Sequence, residues 1–230
     1  MKILTFSYDD ATKQDIRLAE LFHKYGMKAT FNLNSGLFGH EKELIRCDVP
    51  VRWDQVQAED VKHVYAGHEV AAHTLTHPSL PTKTDEEVIR QVEQDRLSLS
   101  ELCGYEVVGF AYPGGGRNHD ERVVDLIRNH TGVRYARTII PSLGFERQED
   151  LLVFKPTVHH FAGWDQLFAL GEQFLALPAD ADALFYVWGH SFEFDIFNDW
   201  DRFEEFLQMM ANKKDIHYLT NKEALLNEVK

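Results

Sequence analysis

The chain has 230 residues, of which 44% are hydrophobic, and this is enough apolar material for one well-filled core, so we expect a single domain over residues 1–230. Its 24 Lys and Arg residues stand against 37 Asp and Glu residues, and the net charge of −13 argues against a nucleic-acid or anionic-membrane partner. No apolar run approaches the roughly 20 residues that a transmembrane helix needs. The first predicted strand starts at Lys2 and leaves no room for a signal peptide, so we expect a cytoplasmic protein unless a leader has been removed.

Apolar, β-prone runs alternate with amphipathic stretches along almost the whole chain, which is the pattern of repeated βα units around a parallel sheet. In chain order we predict a strand over 2–8, a helix over 15–25, a strand over 28–33, an irregular stretch over 44–50, a helix over 53–66, a strand over 68–72, a helix over 85–103 capped by Thr84, a strand over 106–112, a helix over 118–130, strands over 133–140 and 151–156, a helix over 164–175, a strand over 183–188, a helix over 200–211, a strand over 216–219 and a last helix from 221. Seven or eight parallel strands predict an α/β fold, a distorted (β/α) barrel. An open nucleotide-binding sheet is disfavoured because no glycine-rich phosphate loop follows the first strand.

The two cysteines, Cys47 and Cys103, lie far apart and form no CxxC pattern. This spacing disfavours a disulfide framework or a zinc ribbon and is compatible with a reducing compartment. We therefore expect both to be small, buried apolar residues.

The first predicted strand is apolar and aromatic, and it ends on two adjacent carboxylates, Asp9 and Asp10. Two like charges at the end of a buried strand repel each other and are costly to desolvate unless a cation lies beside them. One of them alone would serve as the cap of the helix that begins near Thr12, but a helix needs only one cap. The pair is therefore a candidate for a metal or acid-base site.

Polar residues occupy the predicted carboxyl ends of the other strands, where parallel barrels collect their catalytic groups. The most informative are His73 and His77, four residues apart just after a short strand, because a turn can aim both imidazoles at one divalent ion. A chain with 12 histidines also produces such pairs by chance. Together with the carboxylate pair they form a His-His-Asp set that leaves coordination positions open for water and substrate.

These motifs resemble those of the polysaccharide deacetylases with the NodB-homology domain, carbohydrate esterase family 4. The family's aromatic-Asp-Asp-Gly motif is similar to Tyr-Asp-Asp-Ala at residues 8–11, and its His-Ser/Thr-x-x-His motif is matched at residues 73–77. Its Arg-x-Pro-Tyr-Gly loop is partly similar to residues 110–115, and its closing apolar strand with a histidine is similar to residues 184–190. The motifs follow the family's order, and the first two are the more specific.

The resemblance implies a metal-dependent hydrolase that uses a metal-activated water to remove acetyl groups from a mono-, oligo- or polysaccharide. These acetyl groups are attached to the sugar through nitrogen or oxygen. Its ligands for one divalent ion would be Asp10, His73 and His77, with zinc favoured and cobalt, nickel or manganese as alternatives. Asp9 would be the general base, and His190 would be the general acid that protonates the leaving group.

Further residues are candidates for contact with the substrate. The backbone N–H of Gly114 occupies the place from which the family donates to the oxyanion, although a tight turn with positive φ also selects glycine. Tyr112 and Trp188 offer aromatic surface to a sugar ring, whereas most such rings only pack. Of the neighbours His159 and His160, only one can point towards the barrel axis if the chain is extended there. We take His159 as the candidate.

The chain also departs from the family pattern. Ala11 replaces a glycine, and Ala111 replaces the arginine that holds the base carboxylate. Arg137, near the end of the strand over 133–140, is the candidate replacement, because its guanidinium can reach across the barrel mouth to Asp9. That strand end also lacks the aspartate that orients the acid histidine in many members. The candidates for its task are Glu193, Asp195 and Asp165.

Two alternative functions remain open. One is a hydrolase of another C–N bond, in a cyclic amide or ureide, since related barrels carry out that chemistry. The other is a catalytically silent sugar-binding module, for which the missing arginine and glycine argue.

Overall fold

One parallel sheet curls around a smaller apolar cluster on its inner face, and its outer face packs against helices in the larger core. The computed structural model describes residues 1–227. Its strands are β1 (Lys2–Asp9), β2 (Thr30–Leu33), β3 (Glu43–Arg46), β4 (Val49–Arg52), β5 (Glu69–Ala72), β6 (Gly109–Ala111), β7 (Tyr135–Arg137), β8 (Val158–His159), β9 (Ala183–His190) and β10 (Ile216–Tyr218). Its helices are α1 (Asp15–Lys24), α2 (Val61–Val64), α3 (Asp85–Ile89), α4 (Asp95–Cys103), α5 (Glu121–His130), α6 (Trp164–Ala176), α7 (Glu193–Phe197), α8 (Trp200–Met210) and α9 (Asn221–Leu226).

The spatial order of the sheet is β7-β6-β5-β2-β1-β9-β8, with every neighbouring pair parallel, and β10 also pairs with β1. β10 lies against the first residues of β1 and β2 against its last residues. Within residues 1–227 the two edge strands, β7 and β8, do not pair, so the curled sheet is an incomplete barrel. The predicted distorted (β/α) barrel is therefore confirmed.

β1 is the central strand, and all eight of its residues are buried. It pairs with β9 along its whole length, in a register that places Asp9 opposite His190. Phe6 packs on Phe22 of α1 with a ring-centroid distance of 4.8 Å. Full burial of one such side chain contributes about 1.5–3 kcal/mol, so the core fixes the strand that carries the carboxylates.

The predicted long helix is present over residues 85–103, but it contains a π-helical turn at Arg90–Gln94 between α3 and α4. Thr84 accepts a hydrogen bond from the backbone N–H of Glu87, so the predicted cap is confirmed. π-Helical turns occur frequently at functional sites, and this one ends directly before Asp95, whose contacts are described below.

The prediction of an irregular stretch over 44–50 is wrong, because β3 and β4 form an antiparallel hairpin there. The two turn residues, Cys47 and Asp48, both have positive φ, as in the tight turns that match the twist of hairpin strands. Their sequence is not one of the usual glycine-containing signals, which is why the hairpin was missed. Cys47 lies exposed at its tip and Cys103 is partly exposed, so the prediction that both are buried is wrong, although both are free.

Three other predictions are corrected. The helix over 53–66 is wrong in its first half, because residues 53–57 are extended and pair through Gln55 with Thr12. The strand over 151–156 is a 3₁₀ turn at Leu151–Val153 with one bridge from Phe154, and β8 follows it. α1 is preceded by Gln14, so neither carboxylate of the first motif caps it. Of the described helices, none is long and apolar enough to cross a membrane.

Candidate functional site

The carboxyl ends of β1, β5, β7 and β9 meet at one mouth of the curled sheet, around a cavity of about 330 Å³. The side chains at the ends of β1 and β9, Asp9 and His190, are polar, as predicted from the strand ends, and apolar side chains share the lining. The cavity is lined by Asp9, Asp10, Lys42, Leu44, Arg46, Trp53, His77, Tyr112, Gly114, Gly115, Ile139, Trp188, His190, Phe192 and Glu193.

The three predicted metal ligands converge. Oδ1 of Asp10 lies 3.6 Å from Nε2 of His73 and 3.5 Å from Nε2 of His77. The backbone φ is positive at Asp10 and at His77, and this turns both side chains back over the end of the sheet. Trp53 donates a hydrogen bond from Nε1 to the other carboxylate oxygen of Asp10, at 3.0 Å, and so leaves Oδ1 free to ligate.

Two of these ligand atoms are buried without a hydrogen-bond partner among the described residues, Oδ1 of Asp10 and Nε2 of His73. Unpartnered buried polar atoms are uncommon and costly, and a cation between them would satisfy both. The residues therefore fit a divalent ion with nitrogen and oxygen ligands.

His73 is held in the form that a ligand needs. Its Nδ1 lies 2.8 Å from the carbonyl oxygen of Ala111, which only accepts, so Nδ1 carries the proton and Nε2 presents its lone pair to the site. Burial, which outweighs the neighbouring carboxylates, lowers the pKa of His73 to about 4, and the ring is neutral near pH 7. Its backbone N–H is fixed by Asp95 Oδ2 at 2.9 Å.

Asp9 lies beside this set and is bound by other groups. Its Oδ1 accepts hydrogen bonds from Nη2 of Arg137, at 2.6 Å, and from Nδ2 of Asn32, at 2.7 Å. Burial alone would raise the pKa of Asp9, but the Arg137 guanidinium, followed by the nearby imidazoles, lowers it. Asp9 is therefore ionised near neutral pH. The predicted contact with Arg137 is present, and Arg137 is paired in register with Ala111 on the neighbouring strand.

His190 faces Asp9 across the end of the sheet, and Glu193 is its acidic partner. Nδ1 of His190 lies 3.3 Å from Oε1 of Glu193, and the backbone N–H of His190 donates to Oε2. Burial would lower the pKa of His190, but Glu193, with Asp10 and Asp9, raises it to about 9. The imidazole is therefore protonated near neutral pH. Of the other candidates, Asp195 accepts instead from Gln14 and Trp200, and Asp165 lies in the first turn of α6.

The neighbours His159 and His160, at the end of β8, point in different directions, as expected for an extended chain. His160 is buried, and its Nε2 donates to Glu193 at 2.9 Å while its Nδ1 accepts from the Tyr8 hydroxyl at 3.0 Å. His159 packs edge-on against Trp188 and places Nε2 3.3 Å from the same carboxylate. His159 therefore points to Glu193 and does not line the cavity. Its substrate contact stays a prediction, whereas Trp188 lines the cavity.

The loop after β6 supplies the remaining predicted residues. Tyr112 lines the cavity with its ring, while its hydroxyl donates to the carbonyl of Leu152. Gly114 has a φ of +84°, which glycine adopts without strain, and Asn118 donates to the carbonyls of Tyr112 and Gly114. Gly114 therefore occupies a turn position that favours glycine, and it also lines the cavity.

Several contributors were not predicted. Asn32 is a buried polar residue inside an apolar strand, and that contrast was its available signal. Asp95 holds the backbone N–H groups of Ser35 and His73 from the buried side of α4, and burial raises its pKa to about 7 against those hydrogen bonds. Lys42, Leu44 and Arg46 come from the unpredicted hairpin.

Comparison with known proteins gives the following matches. The family model for polysaccharide deacetylase matches residues 1–136, more than half of the chain. No curated protein matches it. The structure is similar to the deacetylase PplD of Streptococcus pyogenes, at 18% identity and a TM-score of 0.52, over 65% of this chain and 61% of that one.

Two other solved structures match over nearly the whole chain. One is the Xyl-CE4 domain of a multidomain xylanase from the hindgut metagenome of Trinervitermes trinervoides, at 13% identity and a TM-score of 0.60, over 99% of this chain and 91% of that one. The other is a CE4 family pseudoenzyme of Bacillus anthracis, at 16% identity and a TM-score of 0.56, over 98% and 66%. These similarities show a shared fold. Together with the family match, they establish that the chain belongs to the polysaccharide deacetylase family.

Proposed function

We propose that the protein is a metal-dependent deacetylase that hydrolyses the acetyl group of an N- or O-acetylated saccharide. The observation that carries the proposal is the convergence of Asp10, His73 and His77 with two buried, unpartnered ligand atoms. Asp9 and His190 lie beside this set in the charge states that a base and an acid need.

The residues divide the reaction between them. A divalent ion held by Asp10, His73 and His77, with zinc favoured over cobalt, nickel or manganese, would supply the Lewis acidity that polarises the acetyl carbonyl and acidifies water. Asp9, held ionised by Arg137, takes the proton from the attacking water. His190 gives its proton to the leaving nitrogen or oxygen.

Tyr112, Gly114 and Trp188 line the cavity, and in this proposal they hold the sugar and the acetyl oxygen. A backbone N–H at Gly114 can stabilise the negative charge that develops on that oxygen without reorganising during the reaction. The Trp188 ring is fixed against the Arg137 guanidinium, 4.2 Å from its centroid, and offers a preformed surface to the sugar. The single-domain organisation and the cytoplasmic location remain predictions.

The silent binding module is the main alternative, since a CE4 family pseudoenzyme has a similar fold. The main observation that suggested this alternative is that Ala111 replaces the arginine of the family motif. Arg137 lies beside Ala111 in the sheet and binds Asp9, which removes most of that support. Hydrolysis of cyclic amides or ureides is tested by offering such compounds beside acetylated sugars.

Metal content tests the ligand set directly. We expect about one divalent ion per chain in the wild type and its loss in His77→Ala, because three ligands are needed to hold the ion and His77 is partly exposed, so its removal spares the core. Plasma mass spectrometry on purified protein measures it, with His217→Ala, an exposed histidine of β10, as the control. A wild type that stays metal-free after reconstitution with zinc, cobalt, nickel and manganese contradicts the proposal.

Glu193 should set the pH range of the acid. In Glu193→Gln the carboxylate that favours the charged imidazole is lost, so the pKa of His190 falls and the basic limb of the kcat/KM profile moves to lower pH, by about one unit or more. Asp195→Asn, on the same helix, should leave the profile in place, because Asp195 contacts Trp200 and Gln14 instead. Equal profiles for wild type and Glu193→Gln would remove Glu193 from this role.

A further inference from the structure

The segment over residues 41–46, which leads into and forms β3, places its acidic and basic residues on opposite faces. Side chains alternate along a strand, so Lys42, Leu44 and Arg46 share one face, and these three line the cavity. The carboxylates of Glu41 and Glu43 belong to the opposite face, and neither lines it. In a chain with a net charge of −13, this segment therefore turns Lys42 and Arg46 towards the site, whereas Arg52 of β4, paired in register with Glu43, lies on the opposite face and binds Asp54.

Neither Lys42 nor Arg46 has an ionic partner among residues 1–227. The cavity carboxylates are already satisfied by other groups: Asp9 by Arg137, and Glu193 by the histidines around it. Asp10 belongs to the proposed metal site, where a divalent ion would add further positive charge. The wall formed by Lys42 and Arg46 thus carries positive charge that no protein group balances, and an anion in the cavity would balance it.

Lys42 is also fixed close to the reacting centre. Its backbone N–H donates a hydrogen bond to Oδ1 of Asp54, and its carbonyl oxygen accepts one from the backbone N–H of Trp53. Its Nζ lies over the Trp53 ring, 5.5 Å from the centroid, and Trp53 in turn donates to Asp10. Arg46 lies four residues further along the strand, about 13 Å away at the usual rise per residue.

We infer that Lys42 and Arg46 form an anion-binding subsite that selects acidic saccharides, those with a carboxylate or phosphate close to the acetylated sugar and another along the chain. The inference rests on the proposed deacetylase function and names its substrate class. Ammonium and guanidinium groups bind carboxylate and phosphate alike, and the fork of Arg46 can bind either in a bidentate manner.

The test compares three forms of one substrate with metal-loaded protein. Tri-N-acetylchitotriose is offered as the neutral parent, oxidised to carboxylates at its primary hydroxyls, and phosphorylated at the same positions; released acetate gives kcat/KM for each. We expect the wild type to prefer the anionic forms, with a preference that declines as salt screens the exposed cations. Lys42→Met and Arg46→Gln should each reduce the ratio of anionic to neutral kcat/KM by up to about fivefold, and Arg46→Glu by more.

Lys214→Ala, an exposed lysine before β10, is the charge-matched control and should leave the ratio as in the wild type. If kcat/KM rises more with one anionic form than with the other, that form carries the kind of anion, carboxylate or phosphate, that the subsite prefers. A wild type that prefers the neutral parent, or an Arg46→Glu ratio equal to that of the wild type, overturns the inference. If no form releases acetate, deacetylation of this N-acetylated parent fails, and calorimetric binding of the three forms to wild type and Arg46→Glu still decides whether the subsite selects anions.

Discussion

Asp9→Asn should lower kcat for acetate release by about 10²- to 10⁴-fold, the usual contribution of a positioned general base, while metal content stays close to wild type and the protein remains folded. The amide keeps an oxygen that can accept from Arg137 and Asn32, so the local packing survives while the ability to take a proton is lost. Because Asp9 is not one of the three ligands, the ion should remain.

The asparagine variant is sharper than alanine. Both variants remove the carboxylate charge from the buried Arg137 guanidinium, and breaking a buried ion pair from one side costs about 3–5 kcal/mol. Asp9→Ala also removes the acceptor oxygen that asparagine keeps, so its loss of stability should be larger and lost activity there would mix chemistry with unfolding. Asp165→Asn, an exposed carboxylate on α6, controls for the loss of one charge. Wild-type turnover by a metal-loaded Asp9→Asn would remove Asp9 from the role of base.

The convergence of Asp10, His73 and His77 was predictable because its signals are local. Asp9 and Asp10 interrupt an apolar run, and His73 and His77 are spaced within one turn, so sequence distance is enough to bring each pair together. The parallel architecture then places both pairs at the same edge of the sheet, since the carboxyl ends of neighbouring strands meet there. Arg137 could be proposed for the same reason, because it lies at another strand end.

The supporting residues were not predictable in this way, because tertiary contacts decide their conformation. Trp53 falls in a stretch whose apolar spacing favours a helix, yet its chain is held extended by backbone pairing with Lys42. In the sequence, Asp95 is one of several charged residues of a predicted helix. In the structure it lies at the start of α4 and accepts a hydrogen bond from the His73 backbone. Glu193 could not be separated from Asp195 without α7, whose single turn leaves almost no periodic signal.

The arginine shows how a motif can be broken in sequence and kept in space. Ala111 and Arg137 are paired in register on β6 and β7, so an arginine moved from one strand to the next still reaches the barrel mouth. Its guanidinium there lies against Trp188 and on Asp9. A sequence motif is defined by positions along one segment, whereas the Asp9 carboxylate is stabilised by any guanidinium close to it in space. The departure from the family motif at Ala111 therefore does not argue for an inactive site.

Arg137→Met should be the most destabilising single change at the site, by about 3–5 kcal/mol in the free energy of unfolding, because it leaves the buried Asp9 carboxylate without its cation. In the wild type the pKa of Asp9 is lowered, so its stabilising contribution is present above the unfolded pKa and is lost as pH falls through the folded pKa. In the variant burial dominates and raises that pKa, so the sign reverses and the destabilisation should grow as pH rises from about 4 to 7. Urea unfolding at both pH values measures this.

The double variant Arg137→Met with Asp9→Asn supplies the control, because it removes both charges and leaves no unpaired ion. We expect it to be more stable than Arg137→Met alone at pH 7, since replacing a whole buried pair by neutral groups is often close to neutral in stability, whereas removing one partner is not. If the two single effects simply add in the double variant, Arg137 and Asp9 are not coupled. Arg137 would then contribute only by packing against Trp188, and another group would have to keep Asp9 ionised.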